Sequence, residues 1–455
     1  MTKSEMTPSD KTATADTSPD NSSNAEDLYI GAPVDGVVGN DLALKEVHTL
    51  TDLNAKARDF SRVSDPKRIK EICCERIPSW SGMQMTPDDV QVEQIMAGLT
   101  NQLFSVFSKR PEVVPAKVLF RVYGDTVADL YDTNFEVEVF KTLAANHAAP
   151  KFIAEFNGGR IEEYINGPAL LVKEMGNPSI VTAIANILSK FHRLHLHVPE
   201  MQRWKSDTAW VFDAIHRWGK KAARLVELAE SEALRQDAPV RRTESFGTTE
   251  DVLIDKSNLM SLAERKSMVK NLEQTGVTEM LKEIDHIEEL CLPSHIDRNH
   301  PLVALAFCHN DTQENNILCT GTRLRLIDFE YSNFSHPAFD IANFFCEMTM
   351  DYCHPDPPYY THKSAPEDFP QDELIRLFGS VYLSAVTGET VLPADEQLNL
   401  FVEIVHRFAL ASHLMWGFWS IIRAPQAATN SDFDFLLYAK SRFDAYRMWK
   451  DRRNF

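Results

Sequence analysis

The sequence predicts an α+β protein of two lobes, a small β-rich one followed by a large, mostly helical one. Between about residues 80 and 165, short runs rich in β-branched and aromatic residues alternate with turn residues, the pattern of strands. After Pro168, apolar residues recur every three or four positions over longer stretches, the pattern of helices buried along one face. The 455 residues, 44% hydrophobic and 25% charged, suffice for one two-lobed enzyme or for two or three domains with a substantial core.

Residues 1 to about 27 are Ser, Thr, Asp, Asn, Pro and Lys with little to bury, so a disordered tail is expected, drawn here over 1–45. The first lobe is drawn over 46–166 and the second over 167–455. From Asp65, DPKRIKEICCERIPSW reads as a short helix closed by Pro78. VQVEQIM (about 91–96), LFSVF after a turn at Gly98, AKVLFRVYG (116–124) and RIEEYI (160–165) read as strands of an antiparallel sheet. FEVEVFKTLAAN (135–146) reads as the helix among them, and Asn166-Gly167-Pro168 stops the last strand. In the second lobe Ile180, Val181, Ile184, Ile187, Leu188, Phe191 and Leu194 share a helix face. Met280, Leu281, Ile284, Ile287, Leu290 and Cys291 repeat the pattern, and the polar stretch 229–257 between them reads as a surface loop or insertion. Short strands are expected around loops over 303–330, then aromatic helices over 396–423 and 433–450.

A net charge of −19 repels phosphate backbones and anionic lipid, so neither a nucleic-acid nor a membrane-surface role is expected. No apolar run approaches the ~20 residues of a membrane span. The N-terminus lacks a hydrophobic signal core and carries acids, which leaves the cytoplasm as the expected location. The seven cysteines are odd in number and form no repeated Cys-x-x-Cys framework, as expected of reduced thiols. Cys73 and Cys74 would point about 100° apart on a helix, with no second His/Cys pair nearby to complete a metal site.

The chemistry is concentrated in FCHNDTQENNIL (307–318) and LRLIDFEY (324–331). Transfer of a phosphoryl group from ATP needs a carboxylate beside the attacking hydroxyl and oxygen ligands for magnesium. Asp311, Asn316 five residues on, and Asp328 on the following strand supply all three. Asp311 would orient or deprotonate the hydroxyl, Asn316 and Asp328 would hold Mg2+, and His309 would brace the loop by hydrogen bonds. Asp-Phe-Glu at 328–330 parallels the Asp-Phe-Gly of protein kinases.

CHNDTQENNIL, LIDFEYSNFSHPAFDIANFFCE, RFALASHLMWGFWS and YAKSRFDAY, in that order, resemble the choline/ethanolamine kinase family over about 90–455. The resemblance implies a protein-kinase-like two-lobed fold. It also implies phosphorylation of choline, and of ethanolamine as a second substrate, at the expense of ATP, the entry step to phosphatidylcholine or phosphatidylethanolamine synthesis. MAGLTNQLF (96–104), with Gly98 and Asn101, resembles the family's nucleotide loop. Arg121 stands where the family carries a cation for the phosphates, with Glu136 on the next helix as its partner. EEYI, with Glu163 and Ile165, matches the lobe-connecting strand that meets adenine, Gln313 resembles a residue near the phosphates, and Asp340 a brace of the catalytic loop.

A quaternary ammonium cannot donate a hydrogen bond and is recognised by aromatic faces and nearby carboxylates. The resemblance assigns that task to Tyr331, Glu347, Tyr352, Trp416, Trp419 and Tyr438, with Glu347 neutralising the cation. Trp416 and Trp419, three apart, would share a helix face, which fits core packing equally well without the resemblance. The sequence departs from the family pattern at Asn315, where glycine is usual, at DIANFF in place of DIGNHF, and in a single glycine in the nucleotide loop. Asn tolerates a left-handed backbone, so the loop is expected to survive. Alternatives are an ethanolamine-preferring kinase, an antibiotic phosphotransferase of the same fold, against which the Trp-rich helix speaks, and a non-catalytic kinase-shaped binding protein. Family habit suggests a homodimer.

Overall fold

The computed structural model describes residues 64–95, 101–124, 130–235, 249–425 and 433–455. Gly98 lies outside the described residues. Helix α1 (Pro66–Arg76) starts where the Asp65 carboxylate accepts the amide of Lys67 and proline occupies the first turn. Pro78 does more than close it: a second, five-residue helix runs Pro78–Gly82, and its fully buried Trp80 donates its indole N–H to Pro115 O at 2.9 Å.

Strands β1 (Val90–Ile95), β2 (Gln102–Ser108), β3 (Lys117–Val122), β4 (Phe152–Phe156) and β5 (Gly159–Glu163) form one antiparallel sheet in the order β1-β2-β3-β5-β4. Phe104 pairs with Phe120 and Phe120 with Ile161 across the three central strands, so one face carries the lobe's own core with Val106, Val118, Ile69 and Trp80. β4 is an addition to the expected strands. It is joined to β5 through Asn157-Gly158, with Gly158 at φ 90, the hairpin chemistry that the sequence displays. Helix α2 (Thr133–Ala145) is capped by Asp132, which accepts from Asn134 and Phe135, and buries Glu136, Val139, Phe140 and Leu143.

The crossing to the second lobe is held by backbone hydrogen bonds to strand β7 (Ile317–Thr320), with β6 at Ala306–Cys308 before it. Leu170 N donates to Ile317 O and Cys319 N to Pro168 O, both at 2.8 Å. A Cβ at Gly167 would stand 2.2 Å from Cys319 O, so only glycine permits this approach. β7 pairs with β8 (Arg323–Leu326) and β6 with β9 (Asn333–Ser335). A small hairpin, β10 (Met350–Asp351) with β11 (Thr361–His362), completes the strands.

The rest is helical: α3 (Pro178–Arg193), α4 (Trp210–Leu234), α5 (Thr249–Leu259), α6 (Leu262–Gln274), α7 (Pro337–Glu347), α8 (Asp372–Thr387), α9 (Gln397–Arg423) and α10 (Phe435–Arg453). This is the α+β, two-lobed, protein-kinase-like plan. The polar stretch 229–257 is not all loop: α4 runs into it to Leu234 and α5 occupies it from Thr249, while 236–248 lie outside the described residues. Nor is 280–291 one helix. A turn at 284–286 separates Val277–Met280 and a 3-10 turn from Ile287–Cys291. Met280, Ile284, Ile287 and Cys291 are nevertheless all buried, so the periodicity reports burial and not helix continuity. At Gly417 an added Cβ would meet the Phe443 ring at 2.2 Å; glycine there lets α9 lie close against α10.

All seven cysteines are free thiols. Among the described residues no helix is long and apolar enough to cross a membrane.

Candidate active site

The catalytic segment lies between β6 and β7, and its shape is set by α7. That helix is buried on every side, yet it carries Asp340, Asn343 and Glu347 at three- and four-residue spacing, a polar stripe within an apolar cylinder. Each member of the stripe organises one part of the site. Asp340 accepts the amides of His309 (2.7 Å) and Asn310 (2.6 Å) and a hydrogen bond with His192 Nε2 (3.0 Å). Thr312 Oγ1 donates to Asp340 O at 2.7 Å. His192 Nδ1 meets the Tyr382 hydroxyl at 2.8 Å. His192, Cys308 and Asp340 form a buried cluster, but both ring nitrogens of His192 are occupied by these bonds, so the group is a brace.

His309 is a second brace. Its Nδ1 accepts from Asp311 N at 3.3 Å and its Nε2 donates to Ile327 O at 2.9 Å. Burial pushes its pKa below the usual histidine value, which fits a neutral ring committed to two bonds. The left-handed backbone falls at Asn310 (φ 63) and at Asp328 (φ 65), one residue before the first carboxylate and at the second, where strain buys side-chain placement. The expectation for Asn315 differs: it sits in the 3-10 turn Glu314–Asn316 and not in the left-handed region, so asparagine replaces glycine there without backbone cost.

Asp311 Oδ2 accepts from Asn316 Nδ2 at 2.8 Å and from Gln313 Nε2 at 3.4 Å, and Asn316 Nδ2 also donates to Asp311 O at 2.9 Å. With both hydrogens of its amide nitrogen so used, Asn316 has only its carboxamide oxygen left to accept or ligate. Ile327 N donates to Asn316 O at 3.0 Å, which sets Asn316 beside the Ile327-Asp328 step. Burial, with Glu347, Asp328 and Glu330 nearby, holds the Asp311 carboxyl well above the usual range.

Arg121 on β3 donates to Asp328 Oδ1 at 3.1 Å and pairs with Glu162 on β5 at 3.3–3.4 Å. This corrects its expected pairing with Glu136. Glu136 instead grips Arg160 Nη1 at 2.6 and 2.7 Å, and Arg160 Nε reaches Glu162 at 2.8 Å. Glu136, Arg160, Glu162, Arg121 and Asp328 thus form one chain of alternating charge from α2 to the catalytic lobe. The four first members are almost wholly buried. The reason is reach: Arg160 is the neighbour of Arg121 in the β3–β5 register and takes the space facing α2. Asn101 links the lobes a second time, donating to Glu330 at 2.9 Å and accepting from Gly124 N at 3.3 Å, while the Tyr131 hydroxyl meets Glu330 at 3.2 Å. Glu330 was not singled out from the sequence, although the Asp-Phe-Glu motif contains it. Glu163 closes β5 opposite Val118, and Ile165 lies half-buried in the extended segment beyond it.

The six residues assigned to the substrate cation fall into two groups. Tyr331, Trp416 and Trp419 pack edge to face, with centroids 5.5 and 5.7 Å apart. Trp419 Nε1 donates to the Tyr331 hydroxyl at 2.9 Å, and Trp416 Nε1 to Asn343 Oδ1 at 2.8 Å. Asn343 in turn donates to Thr312 O at 3.4 Å, tying the indole to the catalytic loop. Tyr352, Tyr438 and Glu347 make the other group. The two phenol oxygens are 3.0 Å apart, and Tyr352 donates to Glu347 at 2.9 Å. Phe433 and Phe435 bridge the groups, Phe435 at 5.7 Å from Trp419 and Phe433 at 5.3 Å from Tyr438. Glu347 is not an open anion: Arg442, fully buried, hydrogen-bonds it and donates to Tyr438 at 2.8–2.9 Å. Its spacing of four from Tyr438 put Arg442 on the same helix face, a signal in the sequence that was passed over.

The choline/ethanolamine kinase family model matches residues 92–447. The chain belongs to the choline/ethanolamine kinase family. A human choline/ethanolamine kinase is 32% identical over 409 residues, 87% of this chain and 89% of the relative. The crystal structure of choline kinase from Cryptosporidium parvum Iowa II superposes with a TM-score of 0.67 at 31% identity, covering 85% of this chain and 96% of that one. A Plasmodium vivax ethanolamine kinase superposes at 0.55 and 22% identity over 85% and 90% of the two chains, a likeness of fold. In this family member, the matched region contains every described element from β2 to α9 and most of α10.

Proposed function

We propose that this chain is a choline kinase that also accepts ethanolamine, moving the terminal phosphoryl group of ATP to the substrate hydroxyl. The observation that carries the reading is the connection Asp311–Thr312–Asn343–Trp416, which sets a buried carboxylate beside an aromatic enclosure suited to alkylammonium. Asp311 orients the hydroxyl and takes its proton as the alcohol oxygen bonds to the γ-phosphorus and the bond to ADP breaks. Asn316 and Gln313 hold the Asp311 carboxylate in place. Arg121 brings positive charge to Asp328 at the phosphate end of the site.

Magnesium fits the donor set. The Asn316 carboxamide, just before β7, and the Asp328 carboxylate, two residues after β8, are hard oxygens at the same end of that hairpin, with no thiolate or imidazole turned to them among their hydrogen bonds. When bound, the ion would supply charge neutralisation for the phosphates. Asn101 stands at the lobe junction, where the nucleotide is expected. The test is ADP release with Mg·ATP against choline and ethanolamine separately, with Asp311→Ala as control. Choline-dependent turnover abolished by the substitution is expected. Turnover with ethanolamine alone would reassign the aromatic enclosure, and turnover with neither, in a folded protein that binds ATP, would overturn the reading.

A further inference from the structure

Arg442 lies where α7, α9, α10 and the end of β10 meet. It sits on α10 one turn after Tyr438 and is fully buried. Its guanidinium hydrogen-bonds Glu347, the last residue of α7. Nε and Nη2 donate to the Tyr438 hydroxyl oxygen at 2.9 and 2.8 Å. Nη2 also reaches the oxygen of Tyr352, just beyond β10, at 3.3 Å. It has two hydrogens for these three acceptors, so the long contact shares one. Nη1 meets His413 Nδ1 on α9 at 3.5 Å, three residues before Trp416. Burial and the Arg442 charge push the His413 pKa well below the usual histidine value, so that ring is neutral and accepts.

These bonds fix the direction of each phenol proton. A phenol hydroxyl donates one hydrogen bond and accepts two. The Tyr352 proton goes to Glu347 Oε2 at 2.9 Å. The 3.0 Å contact between the two phenol oxygens therefore has Tyr438 as its donor. Tyr438 thus gives one bond to Tyr352 and accepts two from Arg442. Tyr352 gives one to Glu347 and accepts from Tyr438 and from Arg442. Both oxygens are full, and the ion pair of Glu347 with Arg442 carries no net charge. What the two tyrosines retain for a ligand is ring surface. Their centroids stand 6.3 Å apart, with the Phe433 ring 6.5 Å from Tyr352 and 5.3 Å from Tyr438.

Resting on the reading of this site as an alkylammonium pocket, we propose that Arg442 is the positioning residue that sets its preference for methylated ammonium. By filling the lone pairs of Tyr438 and Tyr352 and pairing Glu347, it leaves ring faces and no open phenol oxygen for an N–H. A primary ammonium carries three N–H donors and loses hydrogen bonds against full oxygens, a loss that a quaternary ammonium does not incur. The quaternary cation gains instead from the ring faces. Arg442 acts through the phenols and touches no substrate. The task needs a guanidinium: its planar fork gives two N–H groups to one oxygen while holding the carboxylate, which the single nitrogen of lysine cannot do.

The experiment measures kcat/KM for ethanolamine, its N-methyl and N,N-dimethyl forms and choline, which carry three, two, one and no N–H. In the wild-type chain kcat/KM is expected to rise with each methyl group. Arg442→Lys keeps a charge opposite Glu347 but loses the fork. It is expected to lower the choline-to-ethanolamine ratio roughly tenfold, about one hydrogen bond to a charged group. The change should fall on the amine KM and not on kcat, with the KM for Mg·ATP within about twofold of wild type. If Arg442→Lys does not fold, Arg442→Met combined with Glu347→Gln keeps the group neutral and carries the same comparison. An equal loss on all four amines, with the ratio kept, makes Arg442 a packing residue and overturns the proposal. A wild-type chain whose kcat/KM does not rise with methylation overturns it without any variant and leaves the kinase reading standing. A wild-type chain that phosphorylates none of the four would instead overturn the underlying reading of the site.

Discussion

Glu162→Gln tests the charge chain that joins the lobes. Glu162 is 2% exposed and stands between two buried guanidiniums, Arg160 Nε at 2.8 Å and Arg121 Nη2 at 3.3 Å. Removing one partner of a buried pair costs about 3–5 kcal/mol, and since Gln keeps the volume and one acceptor, about 3 kcal/mol is expected here. At about 2–4 °C per kcal/mol for a large domain, Tm should fall by about 6–12 °C. Function should suffer separately, because Arg121 is left with Asp328 as its single ion-pair partner among the described residues and swings toward that expected metal ligand. The KM for Mg·ATP should rise at least about tenfold, the equivalent of ~1.4 kcal/mol, with the choline KM unchanged. Glu136→Gln is the discriminating comparison. It also breaks a buried pair, with Arg160, and should cost similar stability. It leaves both ion pairs of Arg121 intact, so its KM for Mg·ATP should stay within about twofold. Calorimetric melting and ADP-release kinetics on both variants decide the matter. An equal effect on the ATP KM, or a larger one from Glu136→Gln, would refute the assignment of Glu162 as the holder of Arg121.

Asp311→Asn should preserve the fold, since Asn316 and Gln313 can still donate to a neutral oxygen, but lower kcat by about 10²–10⁴-fold as the proton acceptor is lost; a loss under about tenfold would remove Asp311 from that role. Asp340→Ala removes the acceptor of two backbone amides and of His192 at once, and should cost about 3 kcal/mol or more, read as a Tm shift together with loss of activity. Trp416→Phe keeps an aromatic face but deletes the bond to Asn343; kcat should fall more than the choline KM rises, because the loop loses its anchor. For Glu314 the sign with pH follows from its raised pKa of about 9, against an ordinary value of 4.5. The fold keeps a proton that the unfolded chain has lost, so its contribution to stability is fully present below about pH 4.5 and is lost as pH rises through about 9. Glu314→Gln should therefore melt with the wild type near pH 5 and a few degrees above it near pH 8.5; equal differences at both would contradict this.

Much of this was legible in the chain itself. β-branched runs between Gly and Asn-Gly turns marked four of the five strands of the first sheet, and three-and-four periodicity marked α3, because both patterns express burial on one face, while α9 and α10 were marked by their aromatic content. Asp311, Asn316 and Asp328 stood out by chemistry and order alone. The sequence was silent where a side chain's partner is chosen from another element. Nothing in the linear order says that Glu162, two residues from Arg160 on the same strand, takes Arg121 from Glu136; the register of β3 against β5 decides it. Nothing says that Arg442 neutralises Glu347; the packing of α7 and α10 against α9, which brings Arg442 to the last residue of α7, decides it. Periodicity tells which face of an element is buried, but a charge buried there is satisfied by whatever the packing brings within about 3 Å. The residue types and the reaction they can perform were therefore determined by the sequence, while the pairing of its buried charges was decided by tertiary structure.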